Sequence, residues 1–287
     1  MSEANRGARG VVPPRETRAS LPEDLLELAA ATAREAGRML VDKRPAGGPD
    51  VVQTKSSPTD VVTQMDRAAE ALIIERIRAA RPDDAFLGEE GGEHGGGSGV
   101  RWVIDPIDGT VNYLYDLPDW AVSIAAEVDG AAVAGAVEMP RRGESYTAFR
   151  GGGALLHTAS GTRELRVTER VPLSQALVAT GFGYDAGRRA AQARVLTGVL
   201  PAVRDIRRGG SCCVDLCSLA AGRLDAYYER GVQAWDIGAG ALIVQEAGGR
   251  VEGLHGAAPG PELTMAAGPG TFEALHALLA PLDPLRD

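Results

Sequence analysis

The sequence predicts an α/β fold of stacked layers. Amphipathic stretches at helical spacing alternate with short apolar runs of strand character, no segment repeats, and no low-complexity tract interrupts the folded part. With 287 residues, 44% of them hydrophobic, the chain can bury a sizeable core. Residues 1–19 are rich in Arg, Gly and Pro with little to bury, which predicts a flexible tail ahead of one domain over 20–287.

The first helix opens at Ser20-Leu21-Pro22-Glu23, which has capping-box spacing and a proline tolerated in the first turn. Leu25, Leu28, Ala29, Ala36, Met39 and Leu40 carry it to about Lys43, where PAGGPD breaks it. A second helix places Ala68, Leu72, Ile73, Ile77 and Ala80 on one face and stops before Pro82. AFLGEE reads as a short strand, EHGGGSG as a loop, and Trp102–Ile104 as a short apolar strand. Residues 120–128 and 131–140 read as a hairpin turning at Asp129-Gly130. Further strands are expected at 145–150, 164–168 and 176–180, then a helix over 186–200 and the linker VRDIRRGG. A helix over 211–221 and the strand DAYYE follow. Residues 236–247 are apolar almost all round, which marks a buried helix capped by Gly248-Gly249. One strand and a helix over 271–280 complete the chain.

The net charge of −9 and pI near 5.1 argue against nucleic acid or an anionic membrane as partner. They leave room for a phosphorylated substrate, because bound cations reverse the local sign. Cys212, Cys213 and Cys217 are few, odd in number and without a nearby histidine, so they read as reduced buried thiols. The first twenty residues hold no apolar h-region and no stretch is long enough to span a bilayer; the expectation is a cytoplasmic protein. His94, His157, His255 and His276 are expected in loops or on a helix surface, solvated.

The chemistry concentrates in WVIDPIDGT, where Asp105 and Asp108 flank Pro106 at the end of the apolar strand. Pro106 pushes Asp105 into an extended conformation. Gly109-Thr110 can begin a helix whose free N–H groups would seat a phosphate oxygen. A turn with a cap explains the same residues equally well. Glu89 and Glu90 beside Gly88, and Asp236 opening an apolar helix, tip the balance, because a buried acid is costly unless something pairs with it. Acids at the ends of strands and starts of helices, brought together, would suit a hard cation such as Mg²⁺.

These residues resemble the ordered signature of the inositol monophosphatase family, Mg²⁺-dependent and lithium-sensitive phosphatases. The carriers are Gly88-Glu89-Glu90, Asp105-Pro106-Ile107-Asp108-Gly109-Thr110 with Asn112, and Trp235-Asp236 followed by Glu246-Ala247-Gly248-Gly249. Lys55-Ser56-Ser57-Pro58 with Asp60 and Asp66 extends the match, as does Asp225–Glu229. The resemblance spans about residues 22–275. It implies a layered α-β-α-β-α sandwich of the inositol monophosphatase and fructose-1,6-bisphosphatase type, an N-terminal part to about 170, a C-terminal part from about 171, and a homodimer.

By the same resemblance, Glu89, Asp105 and the Ile107 carbonyl hold one Mg²⁺, and Asp105, Asp108 and Asp236 a second; a third ion would share Glu89. Asp66, Glu90 and Lys55 stand behind the ligands. Gly109 and Thr110 hold the phosphate, and the Thr110 hydroxyl with Asp60 orients a metal-activated water. Asp108, Ser211, Cys212, Glu229 and Asp236 face the substrate alcohol. The implied reaction is hydrolysis of inositol 1-phosphate or a related polyol or sugar phosphate. Histidinol phosphate, fructose 1,6-bisphosphate and 3′-phosphoadenosine phosphates are the alternative substrates. Gly238 departs from the alanine more common in the family after Trp-Asp, and Cys212-Cys213 replaces small unreactive residues. A catalytic thiol would need a His or Asp partner that the sequence does not place nearby. Phosphatases that form an aspartyl-phosphate use Asp-x-Asp, whereas here the spacing is one longer with a proline inside, which favours direct attack by water. A non-catalytic regulator retaining the fold is the rival from another class. Arg204, Arg207 and Arg208 could mark a second phosphate pocket, although a solvated or dimer-facing loop explains them better.

Overall fold

The computed structural model describes residues 21–55 and 61–286. The expectations for the tail, for Ser20 and for Asp60 lie outside the described residues. Helices α1 (Leu21–Asp42) and α2 (Gln64–Ala80) form where the spacing places them. α1 buries Leu25, Ala29, Ala33, Ala36 and Leu40 along one stripe. α2 starts with a capping box in which Thr63 and Asp66 satisfy each other's backbone N–H groups. Between the helices, β1 (Val51–Thr54) and β2 (Val61–Thr63) pair as a small antiparallel ribbon.

The large sheet comprises β3 (Ala85–Gly88), β4 (Gly92–His94), β5 (Val100–Asp108), β6 (Ala121–Val128), β7 (Ala131–Met139), β8 (Glu144–Phe149), β9 (Gly153–Thr158) and β10 (Gly161–Glu164). Its order is β10-β9-β8-β7-β6-β5-β3-β4, antiparallel apart from the β3–β5 pair. The short helix α3 (Thr110–Leu114) leaves the end of β5. The rest of the chain forms β11 (Leu177–Thr180), α4 (Ala186–Val199), β12 (Asp205–Arg207), α5 (Cys212–Ala220), β13 (Ala226–Glu229), α6 (Ala234–Glu246), β14 (Arg250–Glu252), β15 (Thr264–Ala267) and α7 (Pro269–Leu279). Its strands make a second sheet in the order β12-β11-β13-β15-β14.

Side-chain alternation along the strands sorts the apolar residues into three clusters and so defines the layers. Trp102 and Ile104 of β5 pack on α1 and α2, while Val103 between them faces α5 and α6. Tyr227 of β13 faces the same central helices, and Tyr228 faces α4 and α7. The stack is therefore α1/α2, large sheet, α5/α6, small sheet, α4/α7: the layered α-β-α-β-α sandwich. α6 sits between two sheets, which is why its sequence is apolar all round, and Gly248 and Gly249 close it by bonding back to Gln245 and Val244.

The structure corrects several sequence-level boundaries. β5 runs to Asp108, well beyond Ile104, because Pro106 sits at an irregularity of the sheet where its missing N–H is tolerated. The strand expected at 164–168 ends at Glu164; Val167 instead donates its N–H to Ala247, outside any sheet. EHGGGSG contributes the edge strand β4, and the linker VRDIRRGG contains β12. The final strand is two strands, β14 and β15. The hairpin turn is as expected, with Asp129 at φ 52° and Gly130 at φ 74°, both left-handed as a tight two-residue turn requires.

Candidate active site

Asp105 and Asp108 stand at the end of β5, buried at 1% and 8% exposure. On a regular strand, residues three apart point to opposite faces. Here Asp105 pairs with Ser123 and Asp108 with Ala121, so three steps on β5 match two on β6. This one-residue bulge returns both carboxylates to the same side. Asp236, at the third position of α6, reaches them from the central helix layer. One ligand oxygen from each of the three lies within 4.8 Å of the others.

Each carboxylate is held by its own neighbours. Asp108 Oδ2 accepts from Ser211 Oγ (2.8 Å) and from the Cys213 N–H (2.5 Å) at the start of α5. Asp236 accepts from the Gln233 N–H (2.5 Å), and the Cys213 thiol donates to the Asp236 carbonyl (3.0 Å). Asp105 accepts from the Ile107 N–H (3.0 Å), which tightens the bulge. Gly109 then turns at φ +95°, and a Cβ there would lie 3.0 Å from the Asp119 carbonyl. The Thr110 hydroxyl donates toward Asp66 Oδ1 and the Ile107 carbonyl, both at 3.1 Å.

Electrostatics says what this cluster needs. Burial first, then repulsion from Glu89, Asp108 and Asp236, pushes the Asp105 carboxyl well above its ordinary range. Burial and Asp108 do the same to Asp236. Asp108 is pushed up to about 6 by burial, although the Cys213 and Ser211 hydrogen bonds favour its charged form. Three buried acids that resist ionising together are a poor arrangement alone and a good one around a hard divalent cation. The donor set, all carboxylate oxygen with the Ile107 carbonyl nearby, fits Mg²⁺ chemistry.

The residues singled out from sequence are largely brought together. Glu89, Asp105, Ile107, Asp108, Gly109, Thr110, Ser211, Cys212, Glu229 and Asp236 line one cleft of about 550 Å³. Glu89 sits at the mouth of the cluster and pairs with Lys55 Nζ (2.8 Å), which also meets Glu90 (2.6 Å). Burial opposes the Lys55 charge, but Glu89 and Glu90 outweigh it and raise its pKa. Asp66, expected behind the ligands, is the described partner of the Thr110 hydroxyl. Ser211 is committed to Asp108 and to capping α5 through the Val214 N–H. Tyr227 donates to both Cys212 Sγ (3.0 Å) and Glu229 Oε2 (2.9 Å).

The three cysteines are free and buried, their thiols pushed far up by burial, as inert core residues. Gly238 lets α6 pack against the large sheet, since a Cβ there would meet the Ala125 Cβ at 3.3 Å. None of the four histidines lines the cleft. His157 is nevertheless not a loop residue: it lies on β9, half-buried, between Thr147 and Thr162. Sequence reasoning missed Glu70. Its carboxylate accepts from the Glu90 N–H (2.9 Å) and the Gly91 N–H (2.6 Å), pinning the loop that carries Glu89. The available signal was its place four residues after Asp66 on the same helix face.

A layered fold with a carboxylate cluster beside a glycine-led helix start suits a metal-dependent hydrolase of phosphoric monoesters. Comparison with known proteins agrees. Residues 21–282 match the model of the inositol monophosphatase family, and the chain belongs to that family. It is 46% identical over 273 residues to the inositol-1-monophosphatase of Mycobacterium leprae, covering 90% of this chain and 94% of that protein. The solved structure of Mycobacterium tuberculosis SuhB superposes with a TM-score of 0.79 at 44% identity, covering 92% of this chain and 99% of that one. The Nus factor SuhB of Pasteurella multocida is 42% identical over 234 residues, 81% of this chain and 86% of that protein. Among the described residues no helix is long and apolar enough to cross a membrane.

Proposed function

We propose that the protein hydrolyses inositol 1-phosphate, or a closely related polyol phosphate, to the alcohol and inorganic phosphate with Mg²⁺ bound in the cleft. The convergence of Asp105, Asp108 and Asp236 beside Gly109-Thr110 carries this reading. The name of the Mycobacterium leprae relative supports the choice of inositol 1-phosphate. Asp105, Asp108 and Asp236, with Glu89 and the Ile107 carbonyl at the edge, would hold two ions, or three with a further one on Glu89. When bound, such ions supply a nucleophile at neutral pH and stabilise the leaving oxygen during in-line displacement.

The protein's own groups do the rest. The N–H groups at the start of α3 have no intrahelical partner and face the phosphate oxygens. The Thr110 hydroxyl donates its hydrogen bond to Asp66 or the Ile107 carbonyl, which leaves a lone pair to accept from the attacking water. Asp60 remains part of this proposal as a second support for Thr110. Glu229, fixed by Tyr227 and pushed up to about 7 by burial, accepts from a hydroxyl of the polyol at the far side. The Lys55 ammonium neutralises Glu89 and Glu90 until cations do so. The same reading includes inhibition by Li⁺, a homodimer, a cytoplasmic location, and one catalytic domain over 20–287.

The test is phosphate release from inositol 1-phosphate, histidinol phosphate, fructose 1,6-bisphosphate and 3′-phosphoadenosine 5′-phosphate, with and without Mg²⁺. Asp105→Asn and Asp236→Asn are expected to lose more than the roughly 100-fold that removal of an outer partner costs a metal site. Single-turnover label from ¹⁸O water should end in phosphate with no adduct on Asp105. Full turnover in EDTA would contradict the reading. The name of the Pasteurella multocida relative raises the regulator alternative; a fully active enzyme whose Asp105→Asn variant loses its cellular role would exclude it.

A further inference from the structure

The cleft extends past the carboxylates to a wall that includes loop 181–185 and residues 230–233. These two segments leave the C-terminal ends of neighbouring parallel strands: the β11–β13 ladder runs to Thr180 opposite Tyr228 and stops there. Ligand sites of α/β sheets form outside strand ends of this kind. Here the two segments are joined by one side chain from α4. Gln192 occupies the stripe of α4 that also buries Val195 and Val199, where an apolar residue would be the default. It is 9% exposed, and its amide is in full use. Its Oε1 accepts from the Gly183 N–H (2.9 Å), and its Nε2 donates to the Gly181 carbonyl (3.4 Å) and the Arg230 carbonyl (3.2 Å). Only one orientation of the amide satisfies all three, since the flipped amide would set N–H against N–H and oxygen against two carbonyls.

The bridge bears on Glu229, the group that meets a hydroxyl of the polyol in the reading above. Arg230 follows Glu229 directly, so the bond to its carbonyl holds the backbone beside that carboxylate. Gly181 presses on the carboxylate itself: a Cβ at Gly181 would overlap both Glu229 oxygens. Tyr227 holds the carboxylate from its own strand through its hydroxyl. A flexible acid that must meet a hydroxyl at hydrogen-bond distance binds better when it is fixed before the substrate arrives. We propose that Gln192 is a positioning residue for the alcohol end of the site: by tying Gly181 to Arg230 it fixes the Glu229 carboxylate and so sets the affinity for alcohols that carry further hydroxyls. This rests on the phosphatase reading above. Gln192 itself does not line the cleft, so it acts through the two segments it joins.

The test compares steady-state kinetics of the full chain with Mg²⁺ on inositol 1-phosphate and on phenyl phosphate, whose alcohol carries no further hydroxyl. Gln192→Met keeps the length of the side chain and none of its three hydrogen bonds. It should lower kcat/KM on inositol 1-phosphate about tenfold, chiefly through KM, and leave phenyl phosphate within about twofold. Gln192→Glu keeps an acceptor for Gly183 but cannot donate to both carbonyls, and should show the same selective loss. In a Glu229→Ala background, Gln192→Met should cost little more on inositol 1-phosphate, because the two residues act as one unit. Equal losses on both esters, additive losses in the double variant, or failure of both Gln192 variants to fold would mark the amide as structural and overturn the proposal. Those results leave the phosphatase reading standing; a wild-type protein that turns over neither ester defeats that reading too.

Discussion

Glu70 is an acid whose described partners are both backbone N–H donors. Its two oxygens take one from Glu90 and one from Gly91, while Gly88 and Gly91 press against the carboxylate so closely that a Cβ at either would collide with it. A glutamine keeps the size but offers one acceptor and turns an N–H toward an N–H, which costs about 1–3 kcal/mol for the group left unpaired. The strain falls on the loop that presents Glu89, not on the core. Glu70→Gln should therefore raise the Mg²⁺ concentration needed for half-maximal activity by about tenfold, with kcat largely recovered at high Mg²⁺. Calorimetric Mg²⁺ binding checks this without turnover, and an unchanged affinity would show that the Glu70 cap does not position Glu89. Asp66 and Thr110 make the complementary case: the acid was legible as part of a pattern, but its partner could be found only when the helix and the turn were placed together.

At the scale of elements, the sequence made the long periodic helices and the hairpin plain, because each follows from spacing within one segment. β1, β4 and β12 escaped because they are three or four residues long, mostly exposed, and take their order from a neighbour's edge, and β2, with Val62 and Thr63 buried, because three residues are too few to show a period. The site was legible as an ordered list of acids, but not the bulge that makes it a site. Asp105-Pro106 reads locally as the end of a strand, whereas the sheet carries on to Asp108 with one residue extra. The element ends at Gly109, whose left-handed turn aims the N–H groups of α3. Gly109→Ala puts a side chain at φ +95° and 3.0 Å from the Asp119 carbonyl. The expected result is a stability loss of about 1–2 kcal/mol from the backbone conformation, with a larger fall in kcat as the phosphate seat shifts. Urea unfolding and steady-state rates on one preparation separate the two effects; a variant that loses stability but not rate would detach Gly109 from the phosphate.

Across the whole molecule, the site lies where layers meet: Asp105 and Asp108 come from the large sheet, Asp236 and Ser211 from the central helices, and Glu229 from the small sheet. That seam collects buried acids, and not all of them can be served by bound cations. Asp215 on α5 is 5% exposed beneath Gly209 and lies outside the three-carboxylate cluster. Burial, then Glu229 and Asp108, push it up to about 8, while Arg208 and Arg142 pull the other way. In the unfolded chain an aspartate titrates near 4. The folded protein thus keeps a proton that the unfolded chain releases, so the contribution of Asp215 to stability is fully present below pH 4, declines as pH rises through 4 to 8, and is lost above. Asp215→Asn removes that decline because the amide stays neutral in both states. With saturating Mg²⁺ to hold the other acids constant, the stability of the variant relative to wild type should rise steadily between pH 5 and pH 8 in urea unfolding. A difference that stays flat would mean that Arg208 and Arg142 already keep Asp215 charged in the folded protein, and the seam would then be balanced by ion pairs instead of by a retained proton.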